Sequence, residues 1–437
     1  MTAIVGVLNS RAFTIAADSA VTVSGNNGKK VYNRSNKIFT LSKLHPVGIA
    51  IYNSADFLGI PLETAIKLYR QKLKDKSFDT IEEYKDDFLV YLKSLVSGVS
   101  YEMKRDHFYA FCGFIYHPLI NIVVNKIEEF DSHGYEEATI EAEYDKFIAD
   151  AIAAQKALID SYDKTDYLQK TFQEFLDSHQ RQLNEIAAYI EGKIREFHSG
   201  YLLKQASRNA LNELFYEMIN VEWLFEAFTG LVFFGFGENE IYPSTCQVLV
   251  GSLICDVLRI REYTHSKIIP GKVNSNIIPY AQADVTQTVL MGVDPNYKYT
   301  MENSIKSSFD DLANGMGPLL ADANQNEAVT EFIKNIGDEL IKKLNDFQFS
   351  AITGPLLDIL AHMGKEDMAE LAESLVNITS IKRKFTSSDS GDESVGGPVD
   401  VAIVTKGDGF IWIKRKHYFD MQNNIGFSEK YLKFKND

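Results

Sequence analysis

Cysteine is scarce in this chain: among 437 residues only Cys112, Cys246 and Cys255 occur, with no CxxC pair. An odd count without paired spacing excludes a disulfide framework and fits a reducing compartment. The nine histidines supply no HExxH or HxxxH pair, so nothing reads as a zinc site, and no metal or cofactor is expected. Positive charge is also in deficit. With 45 basic against 60 acidic residues the net charge is −15, and no run of Lys and Arg interleaved with aromatics offsets it. An acidic surface repels phosphate backbones, so nucleic acid is not an expected partner. The longest apolar stretch, near Ala227 to Gly235, is too short to span a bilayer. The apolar N-terminus lacks a basic leader and is interrupted by Arg11, unlike a signal peptide. A cytoplasmic protein without a membrane partner is the expectation. No GxSxG elbow is present.

What is present is ordinary globular composition, 45% apolar and 24% charged, in a chain long enough for two or three domains or one with a large insertion. The first fifty residues read as short strands: Thr2 to Leu8, Ala12 to Ala17, Lys37 to Leu41 and Val47 to Tyr52, separated by turns at residues 9–11 and 24–28. The period then becomes helical from Pro61 to about Tyr216. Within it, Glu136 to Glu196 is charged and Ala-rich, which suggests either a projecting helical hairpin or a solvated helical face. Strands are expected again at 231–235 and 247–254, helices at 301–312, 327–344 and 365–376, and a final strand pair at 399–405 and 410–414. Alternating blocks of strands and helices suit helices layered on sheets.

Three residues define a candidate chemistry. Removal of Met1, usual when a residue as small as threonine follows, leaves Thr2 with its hydroxyl and free α-amine on one residue. A neutral amine, with a pKa of about 8, accepts the hydroxyl proton directly or through water. Asp18 closes the second strand, and a hairpin returns it beside Thr2. Lys37 opens the next strand, and paired with Asp18 it holds a positive charge near the amine, depressing its pKa and favouring an alkoxide. Separately, Asp18 reads as a turn cap and Lys37 as a strand-edge charge. Lys29 and Lys30 are alternatives for the lysine. The Gly235-Phe236-Gly237 turn lacks the third glycine of a dinucleotide loop, and Glu238 with Glu240 reads as a solvated pair. His45 and His362 read as hydrogen-bonded core histidines.

The stretches Thr2-Ala3-Ile4-Val5-Gly6-Val7, Ala16-Ala17-Asp18-Ser19 and Lys37-Ile38 resemble the proteasome β-subunit type of N-terminal nucleophile (Ntn) hydrolases, with the Thr-to-Asp spacing unbroken. The resemblance covers roughly residues 2–75, 228–300 and 360–415. It implies an α+β fold, a four-layer αββα sandwich of two antiparallel sheets, formed by residues 1–78 and 228–437, with 79–227 as a helical insertion. It also implies hydrolysis of peptide or other amide bonds by Thr2, with Asp18 and Lys37 beside it. The family's Gly pair, whose first N–H lines the oxyanion hole, falls on Tyr52 and Asn53, so Tyr52 N–H takes that role. Asp392, ahead of Gly396-Gly397, takes the place of the aspartate that supports the nucleophile, and Val395 that of a family serine. Stacked rings in the family imply a homo-oligomer and a protein or peptide substrate. The departures at Tyr52, Asn53 and Val395, with the insertion, also fit a different class: a non-catalytic scaffold, as proteasome α-type subunits are, or a partner-binding module built on the insertion.

Overall fold

The computed structural model describes residues 2–25, 28–32, 35–197, 201–225, 228–316, 323–386, 396–417, 419–420 and 423–426. The chain is α+β with antiparallel sheets. It opens with strands β1 (Ile4–Asn9), β2 (Phe13–Ala17), the hairpin β3 (Val21–Gly25) and β4 (Gly28–Tyr32), β5 (Ile38–Thr40) and β6 (Val47–Asn53). A two-residue pair, β7 (Asp56–Phe57) and β8 (Ile60–Pro61), leads into α1 (Leu62–Leu73) and α2 (Ile81–Leu95). Four helices follow: α3 (Tyr101–Ser132), α4 (Glu137–Asp160), α5 (Phe172–Arg195) and α6 (Gln205–Ile219). Strands return as β9 (Thr229–Gly235), β10 (Ser244–Ile254), β11 (Val257–Lys267) and β12 (Ser275–Ala281). Helices α7 (Ala283–Met291), α8 (Pro295–Met316), α9 (Ala323–Gln348), α10 (Gly354–His362) and α11 (Lys365–Thr386) precede β13 (Asp400–Thr405) and β14 (Gly409–Lys414).

Two five-stranded sheets form, with strand orders β12-β1-β2-β13-β14 and β11-β10-β9-β6-β5. The first hairpin turns where Arg11 N–H donates to Asn9 Oδ1 at 2.9 Å, a side chain closing the turn on itself. Its register sets Ile4 opposite Ala17 and Leu8 opposite Phe13. An antiparallel sheet commonly leaves one face wet, yet every residue of β1, β2, β9, β10 and β13 is buried. The two-residue side-chain period explains this. Ala3, Val5 and Val7 pack with Leu360, Met368, Ala372 and Leu375 of α10 and α11. The intervening Ile4 and Leu8 meet Ala50, Val232 and Phe234, which come from the other sheet. On that second sheet, Ile49, Ile51, Leu231 and Phe233 pack instead with α1 and α2 through Leu62, Ile66, Tyr84 and Phe88.

The helix α2 therefore belongs with α1 on the sheet, and the separate helical body starts at α3, later than residue 79. Nor are residues 136–196 a projecting hairpin or a solvated face. Phe147, Ile148, Phe175, Leu183, Ile186 and Ile190 of α4 and α5 join α3 and α6 in one core. Charges on their outer faces conceal this in the sequence. The body is tied to the sheets through Arg259 of β11, fully buried, whose guanidinium donates to Val221 O at 2.7 Å and Trp223 O at 2.9 Å. Its Cζ lies 5.1 Å from the centre of the Phe111 ring and 5.2 Å from that of Tyr167, and burial lowers its pKa to about 10.

The helix α3 corrects one expectation. By length and composition it is apolar enough to cross a membrane, with a mean hydropathy of 1.3 over its most apolar stretch. Half of that stretch is buried within the protein, as in a core helix. Phe234 sits between the sheets, stacked on Phe13 at 4.9 Å. Phe234→Ala should therefore lower the unfolding free energy by about 3–5 kcal/mol, read from denaturant titration.

Candidate active site

The two sheets meet at one buried carboxylate. Asp18 follows β2 in the first sheet, and Lys37 precedes β5 in the second. Lys37 Nζ lies 2.6 Å from Asp18 Oδ1, with side-chain exposures of 4% and 0%. The same Oδ1 accepts from Ala3 N–H at 2.9 Å. Oδ2 accepts from Ala20 N–H at 3.2 Å and Gly396 N–H at 3.1 Å. Asp18 N–H in turn donates to Ala3 O at 3.1 Å. One carboxylate thus collects three backbone donors and an ammonium, the satisfaction a buried charge requires. Oδ1 is thus shared by Lys37 and by the N–H of Ala3, which follows Thr2, itself 9% exposed.

The structure thus brings Asp18 and Lys37 together as a buried ion pair. Lys29 and Lys30 instead occupy β4, opposite Ser24 and Val23. Ser19 N–H donates to Gly396 O at 3.1 Å, and Ser19 Oγ donates to Pro398 O. The segment carrying Gly396 and Gly397 is therefore laced to the end of β2. Asp392 and Val395 lie outside the described residues.

A second ion pair, which sequence reading missed, stands beside the first, with Asp400 buried and Lys416 partly so. Asp400 opens β13 opposite Ala17, the neighbour of Asp18. Its carboxylate accepts from Lys416 N–H at 2.9 Å and pairs with Lys416 Nζ. Asp400 carries no motif, and the only hint was its place at the head of an apolar strand. Burial pushes the Lys37 ammonium below its usual range. Asp18 opposes that shift, Lys416 adds to it, and Asp400 resists it.

Tyr52 lies on β6, opposite Gly230. Its hydroxyl accepts from Gln247 Nε2, and burial pushes its pKa up to about 12. Its ring covers Gly230, where an added Cβ would fall 1.9 Å from a ring carbon. The ladder gives the backbone a direction. Ile51 N–H donates to Lys37 O at 2.8 Å, and N–H groups alternate along a strand, so Tyr52 N–H faces Gly230 on β9. The Tyr52 N–H is thus directed toward β9 rather than toward Lys37. The next residue, Asn53, donates from Nδ2 to Phe228 O at 2.8 Å. Its φ of 69° is the left-handed conformation that glycine adopts freely and asparagine tolerates.

No protein-family model, no curated protein and no solved structure matches this chain.

Lys37→Met should cost about 3–5 kcal/mol of stability, since it leaves Asp18 charged and buried without its cation. A lysine whose folded pKa lies below 10.5 is deprotonated first in the folded state. Stability from this group therefore rises as pH climbs toward 10.5. Unfolding titrations between neutral and alkaline pH should show that rise in the native protein and lose it in Lys37→Met.

Proposed function

We propose that this chain is a threonine-type N-terminal nucleophile hydrolase of amide bonds, built on the αββα sandwich of the proteasome β-subunit type. The observation that carries the reading is the shared Asp18 oxygen, which binds both the Lys37 ammonium and the N–H of Ala3, the residue after Thr2. The two sheets with helices packed on both, and the Gly396-Gly397 segment laced to Asp18, support it as well.

In this reading Met1 is removed and Thr2 begins the mature chain. The Thr2 amine accepts the hydroxyl proton as Oγ attacks the amide carbonyl. Lys37 keeps the amine neutral at working pH and stabilises the developing alkoxide, while Asp18 fixes Lys37 and the Thr2–Ala3 backbone. Collapse of the tetrahedral intermediate breaks the C–N bond, and the leaving amine takes the proton from the Thr2 ammonium. Water then attacks the threonyl ester, giving a proton to the Thr2 amine; the C–Oγ bond breaks, the amine passes that proton to Oγ, and the acid is released. Asp392, ahead of the glycine pair, supports the nucleophile by the same resemblance. Peptide or protein is the substrate class, and the protein acts in the cytoplasm.

The second reading is a non-catalytic, scaffold-like relative. Tyr52 favours it, since its ring fills the space over Gly230 beside the position where the family keeps glycine. Intact mass and turnover of fluorogenic peptides separate the two. The hydrolase reading expects a mature protein lacking Met1, and a loss on the order of 10³-fold or more in Thr2→Ala. Retained Met1, or equal turnover by both proteins, contradicts it.

A further inference from the structure

We propose that α9 packs antiparallel against α9 of a second copy of this chain, across a two-fold axis at Leu340. The helix hairpin α8–α9 carries an apolar face that stays exposed among the described residues. Helix α5, of 24 residues, buries nine side chains. Helix α9, of 26 residues, buries Ile333 and Gly337 among its described side chains. Phe332, Ile336, Leu340, Leu344 and Phe347 stay exposed, Phe332 at 64% and Phe347 at 68%. Their spacing of four, four, four and three puts them in one stripe along the helix. The opposite side of α9 bears Lys334, Asp338, Lys342 and Asp346, with Lys334 reaching Asp310 of α8 at 3.6 Å. On α8, Leu312 and Met316 are exposed too.

Three features select a second copy as the occupant. The stripe reads the same in both directions: aromatic, aliphatic, aliphatic, aliphatic, aromatic. An antiparallel copy centred on Leu340 sets Leu340 on itself, Ile336 against Leu344, and Phe332 against Phe347. The flank adds charge complementarity. Glu339 and Lys343 pair within the helix at 3.0 Å and are both exposed. In the antiparallel copy each comes within about 3 Å, along the axis, of its opposite charge on the other helix. The size also fits. A helix of this length runs about 39 Å, and two hairpins laid face to face make a four-helix bundle. Five large apolar side chains per copy, with those of α8, approach the roughly 800 Å² per partner that stable dimers bury. The hairpin has more acidic than basic residues, which disfavours an anionic lipid surface.

The proposal rests on no part of the hydrolase reading, and its test uses no activity. Sedimentation of the full chain at tens of micromolar should give at least twice the chain mass, and the double variant Ile336→Glu/Leu340→Glu should sediment as a folded monomer by circular dichroism. On mild oxidation, Leu340→Cys should form a disulfide-linked pair, whereas Lys342→Cys, on the back of the helix, should not. The cysteine pair keeps the test open if the glutamate variant does not fold. A monomeric native protein, equal cross-linking at 340 and 342, or capture of a monomer by neutral phosphatidylcholine vesicles would each overturn it.

Discussion

The Asp18 carboxylate is the point on which the rest of the structure turns. It sits at the end of one sheet, binds an ammonium from the other, and accepts backbone donors from residues 3, 20 and 396. A charge taken out of water is tolerated only when such donors surround it. The geometry of the N-terminal strand, the second sheet and the C-terminal glycine segment is therefore set by one oxygen pair. The Asp400–Lys416 pair next to it brings a third buried charge, Asp400, and the partly buried Lys416 to the same end of the sheets. Such clusters are uncommon in cores, and here burial lowers the pKa of Lys37.

The sheets can support this cluster because both of their faces are covered. Alternate residues of β1 and β9 enter different cores, so the strands are apolar throughout. Water is thereby kept from the Asp18–Lys37 pair, and the low dielectric strengthens the attraction between its two charges. The helical body adds a core of its own and reaches the sheets through Arg259, which has no carboxylate partner among the described residues and relies on two carbonyls and two rings.

Much of this was legible in the sequence because it is local. Period two in residues 4–17 and the tight turn at Asn9 give the first hairpin, and hairpin geometry then returns Asp18 to the start of the chain. Charged strands were not legible. The segment Val257–Lys267 carries Arg259, Arg261 and Glu262, and only tertiary packing, with Arg259 Nη2 bonded to the carbonyls of Val221 and Trp223, makes it a strand. The core of residues 136–196 was hidden for a related reason: polar outer faces outnumber the inward positions, and the partner helices lie far away in sequence. The direction of the Tyr52 N–H depends on register with β5 and β9, which no residue type announces. The Asp400–Lys416 pair joins positions without a motif, and only the β2–β13 ladder brings it to Asp18.

The central claim is that the first threonine, with Lys37 beside it, is a nucleophile. A peptide β-lactone acylates an activated hydroxyl and leaves a stable ester of known mass. After treatment of the native protein and peptide mapping by mass spectrometry, the account predicts one adduct, on a Thr2 that begins the chain, and its loss when Lys37 is replaced by methionine. An unlabelled Thr2, or labelling that is indifferent to Lys37, would contradict it.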